Sequence, residues 1–195
     1  MVRTLCLCAA LTGLILANRS TADEPKIDEK AAMDALMKAA TPGEFHKKLN
    51  PLVGEFDFTV KYWMDPSKPP SESKGTSSGK WIMGNRYLLQ TAKGDFGGMP
   101  FEGAGVTGYD NLQKKYVYSW VDNMGTGIMT AQGSIDESGK VLTFHNEVID
   151  PTINQKVKGK DVTTFVDENT IKTEFFKLSG GKEVKVMEIN YKRKK

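Results

Sequence analysis

The sequence predicts a mainly β protein, a single antiparallel barrel of about ten strands behind a short N-terminal helical arm. Three observations predict it. After Leu52 apolar and polar residues alternate with period two, most plainly where Phe56, Phe58, Val60 and Tyr62 interleave with Glu55, Asp57, Thr59 and Lys61. The connections between candidate strands run from two to eight residues, too short for the crossover helices of a parallel sheet. Glycines also recur inside the strands, densest over 94–133, at 103, 105, 108, 125, 127 and 133. Glycine in a strand marks a bulge, a sharp bend or a close approach. A sheet that curls until its edges meet needs such bends, and closure removes the exposed edges.

The chain has 195 residues, enough for one domain with a sizeable core, but its first 22 stand apart. Met1-Val-Arg3 is a basic start, Leu5–Ala17 an apolar run, and Ser20-Thr-Ala22 ends in small residues at signal-peptidase spacing. This is the pattern of a secretory signal peptide cleaved near Ala22, and it predicts a periplasmic or secreted protein. The apolar run is short of the roughly 20 residues that span a bilayer, so no integral membrane segment is expected after cleavage. Cys6 and Cys8 lie near the beginning of the run, where a lipoprotein signal would not put its cysteine. Both leave with the signal, so the mature chain carries no thiol, no disulfide and no thiolate metal site. Losing Arg3 and Arg19 from the 27 basic residues leaves 25 against 24 acidic ones, a formal charge of +1. That balance gives no electrostatic reason to expect nucleic acid or an anionic membrane.

The remaining chain divides into a helical arm over 23–50 and a barrel domain over 51–195. Residues 23–27 read as a lead. Asp28 is placed to cap a helix over 29–40, whose Met33, Leu36, Met37 and Ala40 repeat at i, i+3, i+4 and i+7. Thr41-Pro42-Gly43-Glu44 reads as a second start, with Thr41 as N-cap and Pro42 at the first helical position. Asn50-Pro51 stops this short helix. Such an arm is expected to bury its apolar edge by covering one end of the barrel, the alternative being a lid over a ligand mouth. After the first strand and the loop Asp65-Pro66-Ser-Lys-Pro69-Pro70, strands are expected over about 74–83, 86–93, 101–109, 114–122, 126–134, 140–148, 157–166, 170–178 and 183–191. The basic tail Lys192–Lys195 reads as a solvated end.

Two patterns imitate nucleotide and nucleophile motifs. Gly103-Ala-Gly105-Val-Thr-Gly108 fits G-x-G-x-x-G, but it runs into another strand with no helix N-terminus to face a pyrophosphate. Gly75-Thr-Ser77-Ser-Gly79 fits G-x-S-x-G, yet it continues into Trp81 and Ile82 instead of turning into a helix. Histidine is confined to His46 and His145, and no spacing brings the two together, so no metal site and no cofactor are expected. His145 shares a face with Val141 and Thr143, opposite Leu142 and Phe144. Only if that face is the inner one is His145 a candidate haem ligand.

The blocks Leu52-Val-Gly54-Glu-Phe56, Trp81-Ile-Met-Gly84-Asn-Arg86-Tyr-Leu88, Gly98-Met-Pro100-Phe101-Glu-Gly103, Gly108-Tyr109-Asp110, Trp120-Val-Asp122-Asn and Met187-Glu188-Ile-Asn-Tyr191 carry a resemblance. Over about 44–193 the chain resembles the bacterial DUF1579 family, a domain of unknown function. The resemblance implies a calycin-like, lipocalin-type barrel, often behind a signal peptide, and brings no catalytic residues. Gly54-x-Phe56 is similar to the Gly-x-Trp that opens the first strand of lipocalins and nitrobindin-like barrels, with Phe in place of Trp.

Arg86, Asp122, Glu174 and Glu188 interrupt otherwise apolar strands. If Tyr116, Tyr118, Trp120 and Asp122 point inward, the carboxylate needs a partner such as Arg86. That pair is either a structural bridge or the holder of a ligand's polar group. The candidate ligand-binding set is Trp81, Met83, Arg86, Tyr118, Trp120, Asp122, Met129, His145 and Glu188. Aromatic and methionine walls with few polar groups suit a small, mainly apolar ligand, and equally a packed barrel core. Two other readings stand beside it: an enzyme, a hydrolase or isomerase, with Asp122 or Glu188 as base and Arg86 holding an anion, and an envelope-interaction module with a filled barrel. No catalytic residue is assigned, and the chain is expected to be a monomer or homodimer. The intact mass of the mature protein checks the leader: a start at Asp23 with no reactive thiol is expected, and retained Cys6 and Cys8 would contradict it.

Overall fold

The computed structural model describes residues 28–150 and 153–195. The expected signal peptide over 1–22 and the lead over 23–27 lie outside them. Asp28 caps α1 (Glu29–Ala40), its carboxylate accepting from the Lys30 and Ala31 amides at 3.0 and 3.3 Å. The second helix does not start at Thr41 as its sequence suggests. Thr41 ends α1 instead, in extended conformation, with its Oγ1 donating to the Met37 carbonyl at 2.6 Å. The N-cap of α2 (Glu44–Lys47) is therefore Gly43, whose amide donates to His46 Nδ1 at 3.1 Å. A 3₁₀ turn at Asn50–Leu52 leads into the sheet.

Ten strands follow among the described residues: β1 (Gly54–Tyr62), β2 (Ser71–Ile82), β3 (Tyr87–Phe96), β4 (Met99–Asp110), β5 (Lys115–Asp122), β6 (Met129–Ile135), β7 (Val141–Asp150), β8 (Gln155–Asp167), β9 (Thr170–Ser179) and β10 (Lys182–Arg193). Each pairs antiparallel with its sequence neighbours. β1 also pairs with β10, from Phe56 opposite Arg193 to Tyr62 opposite Met187, and the sheet closes into a barrel. The predicted fold class is the observed one. Period two decides the inside: Phe56, Phe58, Val60, Leu88, Tyr116, Leu142, Phe144, Phe165 and Ile171 are buried, and their strand neighbours face out.

The glycines of the imitation nucleotide motif have a packing cause. Gly103 and Gly105 of β4 stand opposite Asp122 and Trp120 of β5, and the Trp120 indole lies across both of them. A Cβ on Gly105 would stand 2.6 Å from the Ser119 carbonyl oxygen and 2.7 Å from the Trp120 ring. The strand is bare there so that an aromatic ring fits inside a narrow barrel.

The arm seals one end of the barrel. Leu49 is fully buried, and the Phe45 ring stacks on Tyr109 with centroids 4.6 Å apart. Tyr116 Oη donates to the Phe45 carbonyl at 2.8 Å, and Trp81 Nε1 to Asn50 Oδ1 at 3.0 Å. Arg193, over the Phe56 ring at 4.6 Å, donates to the Val53 and Pro51 carbonyls at 2.5 and 2.8 Å. These bonds satisfy carbonyls of the irregular chain at 50–53 and hold the arm to both edges of the closing seam. α1 takes no part in the seal. Its apolar face was expected to bury, but none of its residues is buried. Its C-terminal end is held on the β4–β5 turn, where Asn111 Nδ2 donates to the Ala39 and Thr41 carbonyls, each at 2.9 Å.

No helix among the described residues is long and apolar enough to cross a membrane. Gly105→Ala tests the packing of β4. It is expected to destabilise the fold by about 1–3 kcal/mol in urea unfolding, the usual cost of overpacking, whereas an unchanged midpoint would show that the ring has room.

Candidate functional site

At the end opposite the arm, the connections after β1, β3, β5 and β9 ring the mouth of the barrel. Met64, Met124 and Ile128 on these connections and Met99 at the start of β4 are 82, 43, 71 and 50% exposed, an apolar rim. Below it the lumen keeps a cavity of about 90 Å³. Phe56, Leu142, Phe144, Ile171 and Phe175 form its apolar wall, and Tyr118, Tyr191, Asp161, Ser77 and Ser78 are among its polar members. Two further polar pairs in the wall satisfy each other. Thr107 Oγ1 donates to Gln90 Oε1 at 3.1 Å, and the Thr163 and Thr173 hydroxyls lie 3.0 Å apart.

Asp161 is brought inside by register. It stands between Phe144 of β7 and Phe175 of β9 and is 8% exposed. Asn146 Nδ2 donates to its Oδ2 at 3.1 Å. No cation reaches it among the described residues. Burial pushes its carboxyl up to about 7, against the opposing effect of the Asn146 hydrogen bond. Burial also raises both phenols well above the ordinary tyrosine value, Tyr118 further through its neighbours Tyr191, Asp161 and Asp122. At neutral pH both tyrosines are therefore O–H donors. Neither phenol makes a hydrogen bond among the described residues, and Asp161 has Asn146 alone; every fully buried side-chain polar atom among them has a partner, so the phenol oxygens lie open to the cavity that all three line.

Of the residues singled out in the sequence, Trp81, Tyr118, Trp120, Asp122 and Met129 lie on the inner face. They do not form one site. Trp81 is at the sealed end, bonded to Asn50. Trp120 Nε1 donates to Asp122 Oδ2 at 3.0 Å near the mouth, and the Asp122 Oδ1 accepts the Met124 amide at 3.0 Å. The expected Arg86–Asp122 partnership is corrected: Arg86 sits in the β2–β3 turn at the sealed end, donating to the Met83 carbonyl at 3.0 Å, while Asp122 ends β5 at the mouth. Met83 belongs to the same turn, at positive φ and 69% exposed, and is not part of the lumen cavity's lining.

His145 and Glu188 are placed outside by the strand period. His145 pairs with Gln132 and Lys160 on the exposed face of β7, so no haem ligand points inward from there. Glu188 lies outside with Glu174, in a cluster with Lys172 and Lys185. Lys185 Nζ donates to Glu188 Oε2 at 2.8 Å and holds its carboxyl down at about 2, which disarms it as a base. Among the described residues no group of three His, Cys, Asp or Glu converges to hold a metal ion.

Sequence reasoning missed Asp161, Asn146 and the role of Tyr191. Asp161 sits between Lys158, Lys160 and the threonines of β8 and reads as part of a polar strand. The one signal was the alternation itself, since Gly159, Asp161, Thr163 and Phe165 share a face that ends in a buried aromatic.

Asp161 makes a prediction about pH. A carboxyl raised by folding binds its proton more tightly in the folded chain. The stability it allows is complete below the unfolded value of about 4 and is lost as pH rises toward 7. Asp161→Asn removes this loss, so the variant is expected to gain on the wild type between pH 4 and 7 by up to about 1.4 kcal/mol per unit in denaturant unfolding. A gap that does not change with pH would contradict the assignment.

A family model described as "Protein of unknown function (DUF1579)" matches residues 41–193. No curated protein matches the sequence. Among solved structures, a redesigned β-barrel is similar at 15% identity over 76% of this chain and 96% of that chain, with a TM-score of 0.41.

Proposed function

The chain belongs to the DUF1579 family of proteins of unknown function, and we propose that it is a binding protein holding one small molecule inside the barrel. One observation carries this reading: Tyr118, Tyr191 and Asp161 open on a common cavity with hydrogen-bonding capacity that the protein does not use. Buried polar groups are otherwise satisfied by the fold itself. A ligand with one polar end against these groups and an apolar body against Phe144, Phe175 and Ile171 completes them. The apolar rim at the mouth suits the same ligand. The cavity of about 90 Å³ is below the several hundred Å³ of drug-sized pockets. It is also smaller than the cavity of about 150 Å³ that takes benzene. The buried part of the ligand is accordingly a few heavy atoms. The basic start, apolar run and small residues over 1–22 support a working place outside the cytoplasm.

A second reading rests on the Asp161 carboxyl near 7, a value suited to moving a proton at neutral pH. It makes the barrel an acid–base enzyme. Native mass spectrometry of the mature protein, taken gently from its own host, tests both. A non-covalent small mass is expected, and it is absent from a folded Thr173→Leu variant, whose larger side chain occupies the cavity. A bare wild-type chain would contradict lumen binding, and a ligand returned chemically altered favours the enzyme.

A further inference from the structure

The lumen cavity holds a carboxyl without a counter-charge. Asp161 is buried, and the Asn146 amide on its Oδ2 is its one hydrogen-bond partner among the described residues. No Lys, Arg or His lines the cavity. Two cations of the inner face are engaged elsewhere. Lys177, toward the mouth, pairs with Asp150, and Arg193, at the sealed end, gives its donors to the Pro51, Val53 and Glu168 backbone carbonyls. Asp122, also inside, accepts from the Trp120 indole and the Met124 amide and from no cation among the described residues.

Around the Asp161 carboxyl the wall is aromatic. Phe144 and Phe175 flank it in register, and Phe56, Tyr118 and Tyr191 line the same cavity. The two phenols are close enough that Asp161 and Tyr191 both act on Tyr118. Aromatic rings attract a cation, most strongly out of water. A neutral ligand would answer the phenols and leave the carboxylate without a counter-charge, and an anion would add a second negative charge. A primary ammonium has three N–H donors and no acceptor, which suits three oxygens: Asp161 Oδ1 and the two phenols. Burying an ion pair ordinarily costs the hydration of both charges. Here the fold has already desolvated the carboxyl, as its rise to about 7 records, so the cost falls on the ligand alone.

We propose that the ligand of the lumen is an organic ammonium ion, a small alkylamine whose charged end pairs with Asp161 among the aromatic rings. The inference rests on the lumen-binding reading above and narrows it to one chemical class. The cavity of about 90 Å³ limits the buried part to about three or four heavy atoms, on the scale at which about 150 Å³ takes benzene. Propylamine has that size. Asp122, nearer the mouth, sets a negative charge on the way in, which favours the approach of cations.

Chemical-shift titration of the mature protein by NMR with three matched probes, propylammonium, propanol and propionate, tests it. At about pH 8 propylammonium is expected to bind at least about tenfold more tightly than propanol, and propionate not at all. As pH falls to about 6, Asp161 takes up its proton, and the ammonium is expected to bind about tenfold more weakly while propanol is unaffected. The other titratable groups lining the cavity, Tyr118 and Tyr191, stay protonated throughout. Asp161→Asn is expected to keep the fold and the alcohol and to lose the preference for the ammonium. Propanol bound as tightly as the ammonium, or propionate bound best, overturns the proposal while lumen binding stands. An ammonium response that survives Asp161→Asn or Thr173→Leu comes from outside the lumen and overturns it too. If none of the three probes binds, the proposal fails, and a bare wild-type chain in the mass spectrum then removes lumen binding with it.

Discussion

The pairing of β1 with β10 is the interaction on which the rest of this protein depends. Seven cross-strand pairs, Phe56 with Arg193 through Tyr62 with Met187, turn a ten-stranded meander into a wall with an inside. These partners are far apart in sequence, so the ordering cost of bringing them together is met only when the whole sheet is in place. The seam is reinforced where it is weakest. Arg193 reaches from the end of β10 to the carbonyls of Pro51 and Val53, just before β1, and its guanidinium covers the Phe56 ring. The same contact therefore closes the barrel and fastens the arm that seals its end.

Closure explains the unusual chemistry of the lumen. A carboxyl between two phenylalanines on an open sheet would be wet and ordinary. In the closed and sealed barrel Asp161 is shielded on one side by the arm and laterally by the strands, and the nearby polar groups are neutral: an amide and two phenols. The lysines and glutamates of β9 and β10 satisfy one another on the outer wall. Strand alternation keeps these ion pairs on the outer face; the Asp150–Lys177 pair lies on the inner face toward the mouth, and deeper in the lumen Asp161 and the two phenols keep hydrogen-bonding capacity unused.

Much of this architecture was legible in the sequence because it is written in local patterns. The alternation from Phe56 to Tyr62 is unambiguous, and Asp28 with the Met33–Leu36–Met37 spacing gave α1 its limits. The start of α2 was not legible, because Thr41 can end one helix or begin the next, and the choice was made by its bond to the Met37 carbonyl. The site was less legible still. Which face of β7 or β10 is inner depends on register with strands distant in sequence, and one residue of shift exchanges His145 for Asn146, or Glu188 for Ile189. Arg86 and Asp122 looked like partners by charge, but the meander put them at opposite ends. Asp161 escaped notice because its lysine neighbours along the chain point the other way.

The titration of the Asp161 side chain, followed through its carboxyl carbon by NMR, tests the central claim most directly. That claim is that closure leaves Asp161 shielded from water and out of reach of any cation among the described residues, beside unused hydrogen-bonding groups. A midpoint near 7 in the free protein is the predicted result. A midpoint at about 4, the value of a carboxyl in water, would mean that the lumen is open to solvent or that a cation occupies it, and the account would fail.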